Sequence, residues 1–163
     1  MKIDYVVTAF LKNGDNYLLM KRADDRRYYP GVWSGIGGGV KAGEEWRPER
    51  ACLREITEET GIAADNITNL KMRYIHISPG KFNPGAPYVV IHFVFFGDTN
   101  ETAFVDTDEG KLYWVPGNEV CGKDYTAAMK RLAEHYFGQG KDDEVLYLYN
   151  EGDGDIKPLK GKD

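Results

Sequence analysis

Residues 37–62 read GGGVKAGEEWRPERACLREITEETGI. The second half of this stretch predicts a helix. Pro48 suits the first turn because it has no N–H to lose there, and Gly61 suits the end because glycine adopts positive φ without steric cost. Between them lies an apolar stripe that would face a core, formed by Ala51, Cys52, Leu53 and Ile56.

Three acidic side chains share one face of this predicted helix. Glu55, Glu58 and Glu59 stand at positions i, i+3 and i+4, so their Cβ atoms should lie about 5–6 Å apart. Inside a cleft, like charges this close need a positive partner. Arg54 supplies one charge, and Mg²⁺ would supply more because it binds carboxylates, water and phosphate oxygens.

The glycine run ahead of the helix favours a binding site over the alternative, a solvated acidic helix face. Gly37, Gly38 and Gly39 allow the backbone to approach a ligand closely, and they can present amides or carbonyls to a phosphate or a metal. A glycine segment that leads into an acidic helix therefore predicts a metal–phosphate site.

The same stretch resembles the Nudix box, G-x5-E-x7-R-E-U-x-E-E-x-G-U with U a bulky aliphatic residue, which is the signature of the Nudix hydrolases. Gly38 and Glu44 match its first part, and the run from Arg54 to Ile62 matches every fixed position of its last part. Nine residues separate Glu44 from Arg54, two more than in the pattern. Since this insertion precedes the helix, we expect an intact metal-binding face, while the position of Glu44 stays open.

The resemblance implies an α+β fold, an α/β/α sandwich with a mixed β-sheet, built as a single domain over residues 1–163. It also implies hydrolysis of a diphosphate linkage with Mg²⁺, for which Mn²⁺ could substitute. Glu58 and Glu59 would be metal ligands, Glu55 a ligand or the general base, and Arg54 would hold the carboxylates. The carbonyl of Gly37 would be a further metal ligand.

Substrate contacts follow from the same resemblance and from the loops around the box. Gly38 and Gly39 would contact the substrate, and Arg22, which ends a strand before the glycine segment, is expected to contact a phosphate. Phe82 lies in a loop with several prolines and glycines, residues 78–87, and could contact a base. A surface loop with one exposed aromatic side chain is the alternative there.

Residues 108–116, DEGKLYWVP, are similar to a stretch that follows the box in many Nudix hydrolases. Some members take another metal ligand or a catalytic base from this region. The candidates are Asp106, Asp108 and Glu109, and the alternative for each is a solvated loop acid.

Hydrophobic patterning predicts the remaining elements. Strands are expected at 3–11, 17–20, 70–77, 88–96 and 111–115, a second helix at 125–137, and a last hairpin from 144–149 and 156–159. His76 and His92 lie within predicted strands, and we interpret them as packing residues. We interpret Trp33, in the PGVW segment before the box, as a core residue too.

The net charge of −5 argues against a surface for nucleic acids or anionic membranes. Two cysteines without paired spacing favour neither a zinc site nor a disulfide framework. Without a signal peptide or a long apolar run, we expect a cytoplasmic protein, monomer or homodimer, whose partner is a small nucleotide.

The stretches around the box look most like the MutT-type enzymes that hydrolyse oxidised nucleoside triphosphates such as 8-oxo-dGTP. ADP-ribose or another nucleotide sugar is the alternative substrate. Isopentenyl-diphosphate isomerases share the fold, but the cysteines here do not lie in recognisable isomerase motifs. A non-catalytic nucleotide sensor is the other alternative, although such domains commonly lose box glutamates and this chain keeps all three.

Overall fold

The structure is a computed structural model that describes residues 2–80, 88–138, 144–151 and 155–159. Its helices are α1 (Pro48–Thr60), α2 (Gly117–Val120) and α3 (Ala127–Gly138), with a 3-10 turn at Ala64–Asn66. Its strands are β1 (Lys2–Asn13), β2 (Asn16–Arg22), β3 (Trp33–Ser34), β4 (Ile67–Pro79), β5 (Tyr88–Thr99), β6 (Gly110–Pro116), β7 (Leu146–Tyr149) and β8 (Lys157–Pro158).

The strands form one mixed sheet in the order β3-β2-β1-β5-β4-β7-β8, and β6 pairs with β2. β1 runs parallel to β5 and β4 runs parallel to β7, whereas the other pairs are antiparallel. The expected mixed sheet with α+β character is therefore confirmed. β1 and β2 are joined by the tight turn that the Asn13-Gly14 dipeptide predicts, with Gly14 at a φ of 57°.

Both faces of the sheet are covered by helices. Alternate residues of β1 point to opposite sides, so the strand contributes to the core on each face. Val7, Ala9 and Leu11 pack with Cys52 and Ile56 of α1. The other face of the sheet packs against α3 in a second cluster, formed by Phe10, Tyr17, Leu19, Tyr74, Val94, Phe96, Val115, Val120, Met129 and Leu132. The result is a helix–sheet–helix sandwich.

Helix α1 begins and ends where the sequence predicts. Pro48 occupies its first turn, and Gly61 ends it in the left-handed conformation with a φ of 75°. The amide of Gly61 donates to the carbonyl of Thr57 over 3.0 Å, which satisfies one of the last helical carbonyls. Burial of Ala51, Cys52 and Ile56 fixes the rotation of the helix and so the direction of its acidic face.

Several elements differ from the sequence prediction, among them β5, which extends to Thr99, and the two-residue strand β3, which the patterning does not predict. The predicted strand at 70–77 is longer, Ile67–Pro79, and its pairing with β5 shifts register on both sides of Lys71 and Met72. Asn69 takes a positive φ of 52° at this irregularity, which strand patterning does not reveal. The short helix α2 was not predicted either. No helix in the described part of the chain is long and apolar enough to cross a membrane.

Candidate active site at the glycine segment

The glycine segment 37–39 lies along the edge of β1. The amide of Val7 donates to the carbonyl of Gly38 over 2.9 Å, and the amide of Val40 donates to the carbonyl of Tyr5 over 2.9 Å. A Cβ atom added to Gly37 would collide with the backbone of Val7. Only glycine therefore allows the segment to lie this close to the strand.

Two acids of α1 lie directly against this backbone. The amide of Gly37 donates to Oε2 of Glu59 over 3.0 Å. A Cβ atom at Gly38 would lie 2.7 Å from Oε2 of Glu55, so that carboxylate occupies the space a side chain would need. Both glutamates are buried in the described structure. The absence of a side chain at Gly38 is what leaves room for the carboxylate of Glu55.

Arg54 donates hydrogen bonds to three carboxylates of the site. Its Nη1 donates to Glu55 Oε1 over 2.7 Å and to Glu58 Oε2 over 3.0 Å. Its Nη2 donates to Glu44 over 2.9 Å and to the carbonyl of Gly39 over 3.0 Å. The inserted residues therefore do not carry Glu44 away from the helix, since its carboxylate pairs with the box arginine.

The acids of the site differ in the direction in which their surroundings shift their pKa values. The hydrogen bond from Arg54 holds the pKa of Glu44 well below its ordinary value, at about 2. Burial, together with the nearby charges of Glu55 and Glu109, raises the pKa of Glu59 to about 8 despite the opposing hydrogen bond from the Gly37 amide. Hydrogen bonds from Lys41 and Arg54 lower the pKa of Glu58. Glu59 is thus the acid that most lacks positive compensation.

A cavity of about 910 Å³ opens on the other side of the glycine segment. Gly37, Gly38, Gly39 and Arg22 line it at one end. From there it crosses the face of the sheet that carries α3, over β1, β5 and β4. A volume of this size is typical of pockets that hold small molecules and cofactors.

The NUDIX domain model matches residues 2–136. The chain belongs to the NUDIX family. Nucleoside triphosphatase NudI of Escherichia coli O139:H28 is 50% identical over 56 residues, which is 34% of this chain and 38% of that protein. The chain thus spans about 38% of the length of the curated relatives it matches.

Solved structures agree on the fold. A MutT protein from Bacillus halodurans has a TM-score of 0.71 and 25% identity, with 96% of this chain and 95% of that chain covered. The dihydroneopterin triphosphate pyrophosphohydrolase of Escherichia coli has a TM-score of 0.63 and 19% identity, with 83% and 94% covered. The expected Nudix fold is confirmed by these likenesses.

NUDIX enzymes generally use divalent metal ions, and the donor chemistry here fits such an ion. Glu55, Glu58 and Glu59 offer hard carboxylate oxygens, and the raised pKa of Glu59 shows a buried acid that a cation would stabilise. In the described residues, however, no three His, Cys, Asp or Glu side chains form a ready-made metal cluster. The reason is visible in the contacts, since Arg54 draws Glu55 and Glu58 to itself while Glu59 pairs with Gly37.

Arg22 lies in the cavity wall. Its Nε and Nη2 donate to the carbonyl of Tyr28 over 3.3 and 3.1 Å, which fixes the guanidinium beside the glycine segment. Phe82, which the sequence placed at the tip of a specificity loop, lies outside the described residues.

The three loop acids after β5 separate into different roles. Glu109 is near enough to Glu59 to raise its pKa, and it forms a 2.7 Å ion pair with Arg26. Asp106 instead accepts a hydrogen bond from the amide of Leu112 over 2.9 Å. Asp108 is exposed. Only Glu109 is thus placed to influence the acids of α1.

The cavity wall also contains residues whose role the sequence did not reveal. His76 and His92 line it, so packing alone does not describe them. Their partners are Asn150 and Thr8, which also line the cavity. Trp33 packs against the core beneath α3 and lines the cavity as well. Alternation along β4 and β5 places both histidines on one sheet face, which was the available signal.

Proposed function

We propose that this chain is a Mg²⁺-dependent pyrophosphohydrolase of nucleoside triphosphates, including oxidised ones such as 8-oxo-dGTP. The products would be a nucleoside monophosphate and pyrophosphate. The observation that carries this proposal is the glycine segment, because it has carboxylates of α1 against one side and a nucleotide-sized cavity on the other. The similarity to a nucleoside triphosphatase supports a triphosphate over a nucleotide sugar.

The position of each residue in the cavity would determine which part of the substrate it binds. Arg22 and the glycine segment, at one end of the cavity, would bind phosphate oxygens, since a guanidinium fork and close backbone amides suit them. The rest of the cavity would hold the ribose and the base. Arg54 would act as a positioning residue, since its contacts fix Glu55, Glu58 and Glu44 relative to the glycine segment.

Glu55, Glu58, Glu59 and the carbonyl of Gly37 would hold Mg²⁺. The ion would neutralise phosphoryl charge and lower the pKa of a bound water. Glu58 would exchange its contacts with Lys41 and Arg54 for the ion, and half of its side chain is exposed (49%). Glu55 would serve as a ligand or as the base that accepts the proton of the attacking water, and a water-derived oxygen would then be found on one of the two products.

The test is hydrolysis of a substrate panel with Mg²⁺, with Mn²⁺ and with EDTA, with products separated by chromatography. The panel contains canonical and oxidised nucleoside triphosphates, ADP-ribose and dinucleoside polyphosphates. We expect pyrophosphate and a monophosphate from triphosphates, and no turnover in EDTA. A preference for ADP-ribose would overturn the substrate assignment but keep the site. Nucleotide binding without hydrolysis of any compound would favour a sensor.

A further inference from the structure

A straight line of paired residues crosses the sheet from the glycine segment to the far end of the cavity. Gly39 is bridged to Val6, Val6 pairs with His92 on β5, and His92 pairs with His76 on β4. Paired residues present their side chains on the same face of a sheet. Neighbouring strands lie about 5 Å apart, so His92 and His76 are about 10 and 15 Å from the glycine segment.

Both histidines are held by a polar neighbour that also lines the cavity. The Nε2 of His92 lies 2.7 Å from Oγ1 of Thr8. The Nε2 of His76 lies 2.6 Å from Oδ1 of Asn150. We call Thr8, His92, His76 and Asn150 the polar row. Four hydrogen-bonding side chains across three neighbouring strands and the end of a fourth form an ordered surface inside an otherwise largely apolar and aromatic cavity.

The hydrogen bonds within the row determine which donors and acceptors some of its side chains can present to a ligand. An amide oxygen only accepts, so the Nε2 of His76 carries the proton, and the other nitrogen of the neutral ring is an acceptor. The Thr8 hydroxyl can donate or accept, so the His92 pair can present either polarity. Burial lowers the pKa of both rings, that of His92 to about 4, so both are neutral near pH 7.

We propose that the polar row reads the hydrogen-bonding edge of the substrate's nucleobase, with His76 and His92 as specificity-determining residues. This inference rests on the proposed function, because it assumes that the phosphates bind at the glycine segment. A neutral base with donors and acceptors along one edge matches neutral imidazole, hydroxyl and amide groups. A second anionic group would have no such match in the row. The row would therefore select among bases and leave the phosphates to Arg22 and the glycines.

The chain supplies a matched control. His135 is the third histidine, and its Nδ1 lies 2.8 Å from the Tyr74 hydroxyl, away from the cavity lining. The experiment compares the wild type with His76→Gln, His92→Gln and His135→Gln. It measures kcat and KM for the four deoxynucleoside triphosphates with Mg²⁺, and calorimetric binding of their α,β-imido analogues. Thr8→Val is the second variant should His92→Gln fail to fold, as judged by thermal unfolding.

We expect the ratio of kcat/KM between the best and the worst base to fall at least about tenfold in the His76 and His92 variants, mainly through KM. The ratio should stay unchanged in His135→Gln. The analogues should show the same loss of selectivity in binding. An equal loss for all four bases, or a wild type that binds all four equally or not at all, would overturn the inference.

The two proposals fail in different ways. Turnover with Mg²⁺ and an unchanged base ratio in the variants would overturn the role of the row and leave the hydrolase intact. Base-selective binding of the analogues that the variants lose, without any release of pyrophosphate, would support the row and overturn the hydrolase.

Discussion

The backbone N–H of Gly37 donates to Oε2 of Glu59 over 3.0 Å, and this bond ties the glycine segment to the last acid of α1. A single amide does not compensate a buried carboxylate, which is why burial raises the pKa of Glu59 to about 8. The same acid is near the charges of Glu55 and Glu109. A cation bound beside Glu59 would therefore offset an unfavourable buried charge.

Glu59→Gln and Glu58→Gln should each lower Mg²⁺-dependent turnover by about 100-fold or more and leave the fold intact. A glutamine at 59 keeps an acceptor oxygen for the Gly37 amide but loses the charge that would bind the ion. The measurement is the initial rate of pyrophosphate release, with circular dichroism to check the fold. Glu49→Gln, an exposed site in the first turn of the same helix, is the matched control. A wild-type rate in Glu58→Gln or Glu59→Gln would contradict the metal assignment of that residue.

Gly38→Ala should reduce kcat more than Gly39→Ala. A Cβ atom at 38 would lie 2.7 Å from Oε2 of Glu55 and 2.9 Å from its carboxyl carbon, so the carboxylate must shift. A Cβ atom at 39 meets nothing within 4 Å. We expect a loss of about tenfold to 100-fold for Gly38→Ala, since small displacements of catalytic groups are costly. The measurement is kcat of both variants under steady-state conditions, with Gly138→Ala as a remote control. Equal losses of kcat at 38 and 39 would contradict displacement of the Glu55 carboxylate.

The box helix and the mixed sheet could be predicted because their signals are local. Pro48 and Gly61 mark the ends of α1, and the spacing of Glu55, Glu58 and Glu59 fixes their common face. Apolar and β-branched runs locate the long strands. These features depend on residues a few positions apart, where conformational preferences act directly.

The hydrogen bonds of the polar row and the ion pair of Glu109 could not be predicted. They join residues that are far apart in the sequence and meet only through strand pairing. Asn150 reaches His76 across 74 positions of the chain, and only the parallel pairing of β4 and β7 brings them together. The pairing of Arg26 with Glu109 arises in the same way, since β2 and β6 are neighbours in the sheet.

Glu44 should stabilise the folded protein at neutral pH and lose that effect in acid. Its folded pKa is lowered to about 2 from 4.5 by the hydrogen bond from Arg54. A lowered carboxyl pKa gives stability that is present above pH 4.5 and lost as the pH falls toward 2. The pair is partly exposed, so we expect only about 1 kcal/mol. Urea unfolding of the wild type and Glu44→Gln should differ at pH 7 and converge near pH 2, whereas a constant difference would contradict the ion pair as its cause.

His92 should make the folded protein less stable as the pH falls below neutrality. Burial lowers its folded pKa from 6.5 to about 4, and neighbouring His76 adds to the lowering. The unfolded chain then binds a proton before the folded chain does. The stability from a neutral His92 is therefore complete above pH 6.5 and declines as the pH falls toward 4, by on the order of 2–3 kcal/mol.

The measurement for His92 is the difference in unfolding free energy between the wild type and His92→Gln at pH 7.5, 5.5 and 4.5. Glutamine does not titrate, so the variant should lose less stability than the wild type across this interval. His135→Gln is the control for a general effect of removing a histidine. Parallel pH profiles of the wild type and His92→Gln would show that His92 protonates as readily in the folded protein as in the unfolded chain. That result would show that His92 of the polar row is not held neutral at acidic pH. Base selectivity at neutral pH would still be tested by the kinetics with the four deoxynucleoside triphosphates.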